Sequence, residues 1–349
     1  MGYGLAGSSF HRPLIQATRG LRVATVVSRD PARQQKARAQ IPGVEVVENV
    51  ERLWTGGRRP DLAVIATPTG SHGEVARAAI SAGFAIVVDK PFTATAREAE
   101  EIAAEAKDKG TFLTVFHNRR WDGDYLTVRD LVRDGRLGQV FRFESRYERW
   151  RPSPRAGSWR DELPEEDGGG VLADLGSHVI DQALQLFGRP TTVYGEIDHR
   201  RPGSTGDDDA FVALEHPGGV RSHLWASQVA SVPAHRMRVL GSAGGYGKYG
   251  MDVQEEALRD GGDVGDPAWG QEPEDRWGLL VTESGERRLP TVAGDWPAFY
   301  RGVATALLEG SAPPVQPSSA VEVLEVIEAA KESAKTRTVV NLPGKDHNY

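Results

Sequence analysis

Asp174 and His178 stand four residues apart, behind three consecutive glycines, in Gly168-Gly169-Gly170-Val171-Leu172-Ala173-Asp174-Leu175-Gly176-Ser177-His178. On a helix that spacing places both side chains on one face, about one turn apart. A carboxylate beside an imidazole raises its basicity and orients it, which suits the ring to accept a hydroxyl proton near neutral pH. The same pair would also serve as a plain ion pair on a helix surface. A metal site needs a third ligand. Asp181 is available, but one helix carrying Asp174, His178 and Asp181 does not close a coordination shell, so no metal is expected. The glycines leave room for a chain segment or a ligand to come close.

A second set lies in the first third of the chain. Gly2, Gly4 and Gly7 form a G-x-G-x-x-G, which turns a strand sharply into a helix and lets a dinucleotide pyrophosphate approach bare backbone. Such a loop follows a hydrophobic strand, and here only Met1 precedes it; a chance pattern in a flexible coil is the alternative. We expect the sequence to be truncated ahead of Met1, which the intact mass of the native protein would test. The apolar run 21–28 ends in Ser28-Arg29-Asp30, with Arg33 one turn on. In a dinucleotide site this end meets the adenosine ribose, where a carboxylate favours a free 2′-hydroxyl and a cation a 2′-phosphate. Asp30 before Pro31 reads as a helix N-cap with proline at the first helical position. Ser28, Arg29 and Arg33 are left for a phosphate, which favours NADP over NAD, unless the arginines are only solvated surface.

Two more strand ends join them. Thr67-Pro68-Thr69-Gly70-Ser71-His72 follows the apolar run 62–67, and ligands in open α/β sheets sit beyond the carboxyl ends of strands. Thr67 and Pro68 are expected near the nicotinamide. His72 opens a helix, either touching cofactor or lying on the surface. Val88-Asp89-Lys90-Pro91 ends the run 85–88, and the proline biases Lys90 towards extended geometry at the lip of the same cleft.

The elements that must position these residues follow from patterning. Apolar strands at 21–28, 44–47, 62–67, 85–88 and 112–116 alternate with helical stretches at 12–17, 32–39, 71–82 and 94–109. Near-continuous apolar strands between helices predict a doubly wound parallel sheet covered on both faces, its first strand missing, over residues 1–118. Beyond that, 125–134 reads as helix, 140–150 as an alternating strand and 171–187 as a helix, with a polar, Pro- and Gly-rich stretch at 151–169. Strands at 192–197, 210–215, 220–227 and 234–240 follow with few helices between them. They predict an α+β domain with a large open, mostly antiparallel sheet over 119–349. The stretch 260–285 reads as a long loop, 296–309 as a helix, and 318–335 as a helix capped by Ser318 or Ser319.

Composition narrows the class. A chain of 349 residues has room for two domains, and it holds no cysteine, which excludes disulfides, thiolate metal sites and cysteine nucleophiles. Net charge is −7, which gives no footprint for nucleic acid; Arg58-Arg59 and Arg119-Arg120 read as solvated surface. No apolar run reaches the roughly 18 residues of a membrane span. A charged segment leading into an apolar one is also absent, so cytoplasm is the expected compartment.

Together the motifs resemble the glucose-fructose oxidoreductase and inositol dehydrogenase family, over nearly the whole chain. The landmarks are the loop Gly2 to Gly7, Asp89-Lys90-Pro91 in place of the usual Glu-Lys-Pro, and Asp174 with His178. Phe116-His117-Asn118-Arg119-Arg120-Trp121-Asp122, Asp174-Leu175-Gly176-Ser177-His178 and Lys248-Tyr249-Gly250 are similar to its NADP-dependent scyllo-inositol dehydrogenases. The resemblance implies a Rossmann domain joined to an α+β domain, and a hydride transfer between NADP and a secondary alcohol of a cyclic polyol or sugar. It implies Lys90, Asp174 and His178 as the catalytic set, Asn118 and Arg119 lining the substrate, and a homo-oligomer, dimer or tetramer, without a nucleic-acid or membrane partner. Lys90 and His178 are expected to meet across one crevice and to give the polarisation a metal would supply. A non-catalytic NAD(P)-binding sensor of the same fold is the alternative.

Overall fold

The computed structural model describes residues 1–55, 59–154 and 167–344, so Arg58 and most of the stretch 151–169 lie outside the described residues. The chain divides into two compact units. The first comprises Met1–Trp121, Val253–Trp269 and Asp295–Val321; the second comprises Asp122–Asp252, Gly270–Gly294 and Glu322–Tyr349.

In the first unit, five short strands are parallel. β1 (Thr25–Val27) pairs with β2 (Glu45–Val47), and β3 (Leu62–Ile65), β4 (Ala85–Val88) and β5 (Leu113–Val115) form a second set in that order. Helices connect them as the patterning predicts. Pro31–Gln40 starts on Asp30, whose carboxylate accepts from the amides of Ala32 and Arg33 at 2.9 and 3.2 Å. Ala96–Asp108 starts on Thr95, whose hydroxyl accepts from Glu98. Both are ordinary side-chain caps of orphan helix amides. Tyr3, Val26, Ala37 and Ile41 form one buried apolar cluster of this unit.

Among the described residues, β1 and β3 are not paired with each other. The first two residues bridge them. The α-amino group of Met1 donates to the Val64 carbonyl at 2.6 Å, Ala66 donates to the Met1 carbonyl at 2.9 Å, and Gly2 donates to the Val27 carbonyl at 3.1 Å. Behind that bridge lies a cavity of about 1050 Å³ lined by both strands.

The second unit is built on a nine-stranded sheet. Its strands are β6 (Val140–Glu148), β7 (Thr192–Asp198), β8 (Asp209–Glu215), β9 (Arg221–Ser227), β10 (Met237–Gly241), β11 (Gly244–Lys248), β12 (Gly278–Thr282), β13 (Gly285–Leu289) and β14 (Val340–Asn341). The order is β13-β12-β11-β10-β6-β9-β8-β7-β14, antiparallel throughout except for β6 beside β9. Side chains of β8 alternate between buried and half-buried, so one face packs inward. Gly195 of β7 lets the long helix come close: a β-carbon there would stand 2.4 Å from the Ala330 carbonyl.

Three expectations need correction. The stretch 260–285 is not one loop: a short 3₁₀ turn, Glu274–Arg276, and β12 fall within it. Glycine-rich β11 and polar, exposed β13 carry little strand signal of their own, and their ladder partners decide their state. The segment 171–187 is not a single α-helix: a π-helical turn, Leu172–Gly176, precedes the α-helix Ser177–Phe187. The long C-terminal helix runs Pro317–Thr336, so Ser318 and Ser319 lie inside its first turn behind Pro317.

Candidate active site

At the nucleotide end of the first unit, the three glycines differ in what they allow. Gly2 has φ +85°, and a β-carbon on it would meet the Ala66 carbonyl oxygen at 2.3 Å; one on Gly7 would meet the Gly2 carbonyl oxygen at 2.3 Å. Gly4 faces open space, with only the Arg33 guanidinium at 4.0 Å from such a carbon. A tight turn, an open backbone and a close helix contact are the roles that a dinucleotide fingerprint assigns to its first, second and third glycines. The helical segment that follows opens as a π-helix, Ala6–His11, with Ser8 donating to the Gly4 carbonyl at 3.0 Å.

Ser28 is buried at the end of β1, and its hydroxyl accepts from the Asp30 amide at 3.3 Å. Arg29 and Arg33 are exposed. Arg33 is 3.3 Å from Asp30, an exposed pair of the kind that contributes little to stability and yields readily to a better anion. A bare-backbone cradle beside two solvent-facing guanidinium groups fits a phosphorylated dinucleotide.

Thr67 and Pro68 follow β3, and Ser71 donates to the Thr67 hydroxyl at 2.8 Å. His72 does not lie on the surface. Its ring is buried, with Nδ1 3.0 Å from the Pro91 carbonyl and Nε2 2.9 Å from the Thr67 carbonyl. It joins the loop after β3 to the loop after β4, and so positions both.

Lys90 is half-buried, ahead of a cis peptide to Pro91. Its backbone amide donates to the Asp89 carboxylate at 2.9 Å. Behind Asp89 stands His11, with Nε2 3.9 Å from the carboxylate and Nδ1 2.7 Å from the Tyr300 hydroxyl. Burial pushes the Asp89 carboxyl up, but the attraction of His11, with help from Lys90 and His72, holds it below the ordinary carboxylate value. The strand end that presents Lys90 is thus braced by half-buried Asp89 and, behind it, buried His11 and Tyr300. His11 and Tyr300 escaped the sequence reading because they lie 289 positions apart.

Asn118 and Arg119 are both buried in the short turn Asn118–Trp121. The Arg119 guanidinium pairs with Glu255 and lies over the Trp296 ring, 5.4 Å from its centroid. This departs from its reading as solvated surface and gives it a bracing role in its own unit.

In the second unit, the triple glycine admits a chain segment. A β-carbon on Gly170 would stand 1.8 Å from the Asp207 carboxylate, whose other oxygen accepts from the Leu172 amide at 2.7 Å. Asp207 therefore anchors the start of the π turn from outside the helix, a contact that patterning at 3.6 residues per turn does not reveal. Wide turns of this kind recur at functional sites. Asp174 is half-buried within that turn, and His178, about 6% exposed, lies in the first turn of the α-helix beyond it. The His178 ring stacks against Tyr147 of β6 with centroids 6.1 Å apart and planes at 25°, and Arg149 donates to the Tyr147 hydroxyl at 2.8 Å. One turn beyond His178, Gln182 accepts from Arg236 at 3.0 Å, and Arg236 also contacts Ser145 at 2.6 Å and Asp124 at 3.2 Å. This buried network fixes the helix that carries His178.

Lys248, part of the resemblance, is fully buried. It pairs with Glu272 at 2.9 Å and donates to the Tyr249 and Arg276 carbonyls, so it braces β11. No helix among the described residues is long and apolar enough to cross a membrane.

Comparison with known proteins agrees with this geometry. Residues 1–117 match the model of an oxidoreductase family's NAD-binding Rossmann fold, and residues 129–342 that of an oxidoreductase family's C-terminal alpha/beta domain. The chain is 40% identical to the uncharacterized oxidoreductase YdgJ of Escherichia coli, over 98% of this chain and 97% of the relative. It is 35% identical to the scyllo-inositol 2-dehydrogenase (NADP(+)) IolW of Bacillus subtilis, over 98% of this chain and 94% of the relative. The solved structure of yvaA from Bacillus subtilis, described as an oxidoreductase, superposes with a TM-score of 0.92 at 34% identity, covering 98% of this chain and 97% of that one. With both units matched and full-length relatives at this identity, the chain is a nicotinamide-dependent oxidoreductase of the Gfo/Idh/MocA family.

Proposed function

We propose that this oxidoreductase uses NADP to oxidise a secondary alcohol of a cyclic polyol or sugar, in the manner of a scyllo-inositol dehydrogenase. The observation that carries the reading is His178: an imidazole nearly closed off from water, stacked on Tyr147, one turn beyond a half-exposed carboxylate. A relative named as an NADP-linked scyllo-inositol dehydrogenase supports the substrate class and the cofactor.

The bound nicotinamide supplies the hydride acceptor. His178 takes the hydroxyl proton on a ring nitrogen as the hydride leaves the carbon. The Lys90 ammonium donates to the same oxygen and stabilises its developing negative charge. Asp174 accepts from a neighbouring hydroxyl, which orients the ring of the substrate, and tunes His178. Asn118 contributes to the substrate side, with Arg119 fixing its turn through Glu255. Gly2, Gly4 and Gly7 receive the pyrophosphate, Thr67 and Pro68 face the nicotinamide, and Ser28, Arg29 and Arg33 hold the 2′-phosphate.

The test is an NADPH fluorescence titration followed by an absorbance assay of NADP reduction over a panel of inositols and sugars. NADPH binding with turnover of at least one cyclic polyol is expected. Binding without turnover on any member would overturn the proposal and leave a nucleotide-binding sensor.

A further inference from the structure

Both ring nitrogens of His72 face carbonyl oxygens. The residue is 1% exposed, at the first position of the helix His72–Ser81. Nδ1 lies 3.0 Å from the Pro91 carbonyl oxygen, and Nε2 lies 2.9 Å from the Thr67 carbonyl oxygen. A neutral imidazole carries one N–H, so it donates to one carbonyl and turns a lone pair on the other. Away from water, two acceptors held that close repel, and each lacks a donor. Turning the ring over puts carbon atoms in place of both nitrogens and loses both bonds. A ring with hydrogens on both nitrogens donates twice and leaves neither carbonyl unmet. His216 shows the contrast. Its Nδ1 faces the Gly188 carbonyl, but its Nε2 faces the Ser222 hydroxyl, which can donate, so a neutral ring completes both bonds.

The surroundings decide whether a cation can be held there. Burial pushes the Asp89 carboxyl up, but His11, Lys90 and His72 together hold it below the ordinary carboxylate value, so Asp89 attracts a charged His72 ring in return. Glu98 of the helix Ala96–Asp108 packs against the residue after His72, with its carboxylate in the place that a β-carbon on Gly73 would take. Glu74 adds a carboxylate in the same first turn. Lys90 and His11, both beside Asp89, and the positive end of the helix dipole oppose a cation. Two charge-assisted hydrogen bonds to carbonyls, closed off from water, are strong enough to offset that opposition.

We propose that His72 is a positioning residue that works as an imidazolium, its two N–H groups clasping the Thr67 carbonyl after β3 and the Pro91 carbonyl after β4 at one fixed spacing. Its part in catalysis rests on the reading of Thr67 and Pro68 as nicotinamide contacts and of Lys90 as the donor to the substrate oxygen. The ring then sets Lys90 against the nicotinamide, while the pyrophosphate cradle of Gly2, Gly4 and Gly7 does not depend on it. Loss of one ring proton opens one of the two contacts and frees the Lys90 loop relative to the Thr67 loop.

The experiment has two arms. The first takes the native 349-residue chain with isotope-labelled histidine, without cofactor or substrate, at about pH 7.5, a unit above the ordinary histidine value of ~6.5. Ring nitrogen resonances are assigned through bonds, without a variant. Both nitrogens of His72 should carry protons, and His216 should carry one. A bare nitrogen on His72 would overturn the proposal, whatever the enzyme turns over. The second arm raises the pH until the His72 ring gives up one proton and follows turnover of a cyclic polyol. With that proton kcat should fall by about 10-fold or more, while NADPH affinity stays within about twofold. His72→Gln, whose amide offers a donor at one end and an acceptor at the other, should show the low kcat throughout and lack the step. Turnover that ignores the ring proton would overturn the proposal. If the native chain binds NADPH but turns over no polyol, the proposed function falls, and the carbonyl carbon resonances of Thr67 and Pro91 take the place of kcat. One of them must then shift as the proton leaves; two unmoved resonances would overturn the clasp.

Discussion

His178 is proposed to take the substrate proton, and Arg29 to recognise the cofactor's phosphate. His178→Ala should lower turnover about 100-fold or more while leaving NADPH binding intact; near-normal turnover would remove the ring from that role. Arg29→Ala should weaken NADP far more than NAD in paired titrations, because its guanidinium is proposed to meet a group that only NADP carries. Equal weakening would contradict the assignment. Tyr300→Phe removes the hydroxyl 2.7 Å from His11 Nδ1 and leaves a buried ring nitrogen without that partner. The expected loss is about 1–3 kcal/mol in urea unfolding, and an unchanged midpoint would show that His11 finds another partner. Lys90, Asp174, His178 and the glycine loop are legible as local motifs of the sequence, and their roles remain proposals. Patterning does not show that His72 and Arg119 are buried, because the carbonyls and the carboxylate that engage them come from separate loops or a distant helix. The buried support from His11, Tyr300, Asp207 and Tyr147 was not visible, because each acts on a residue far away along the chain.

Elements show the same division between local and non-local causes. The helix Pro31–Gln40 and its Asp30 cap, or the strand Ala85–Val88, follow from residues within a few positions. β11, β12 and β13 do not, because a strand of glycines or exposed arginines is chosen by its neighbours. His216 gives an element-scale prediction. It joins the end of the helix Ser177–Phe187 to β9, with Nδ1 2.8 Å from the Gly188 carbonyl and Nε2 2.8 Å from the Ser222 hydroxyl. Burial lowers its ring to about 4, with the Gly188 carbonyl opposing part of the shift. The unfolded ring takes up a proton near its ordinary 6.5 and the folded ring only near 4, so the unfolded state binds more protons between those values. Stability from this group is complete above pH 6.5 and declines as pH falls towards 4, by about 3 kcal/mol over the window. Urea midpoints measured across that range should fall for the native chain and fall less steeply for His216→Gln. Parallel slopes would show that His216 is not the titrating group.

For the whole molecule, the two matched halves assign the family and the class of reaction, and the relatives narrow the substrate to candidates that can be assayed. A net charge of −7 gives no electrostatic footprint for nucleic acid and the given sequence holds no cysteine, but neither feature selects a substrate. Substrate choice depends on pocket shape, which residue spacing does not encode. The most direct measurement of the central claim is therefore NADP reduction, followed by absorbance, with scyllo-inositol and a panel of other inositols and sugars, for the native chain and for His178→Ala. The native chain is expected to turn over at least one cyclic polyol, with NADP preferred to NAD, and the variant to lose nearly all of that turnover. Equal rates in the two proteins, or no turnover of any cyclic polyol by a chain that binds NADPH, would contradict it.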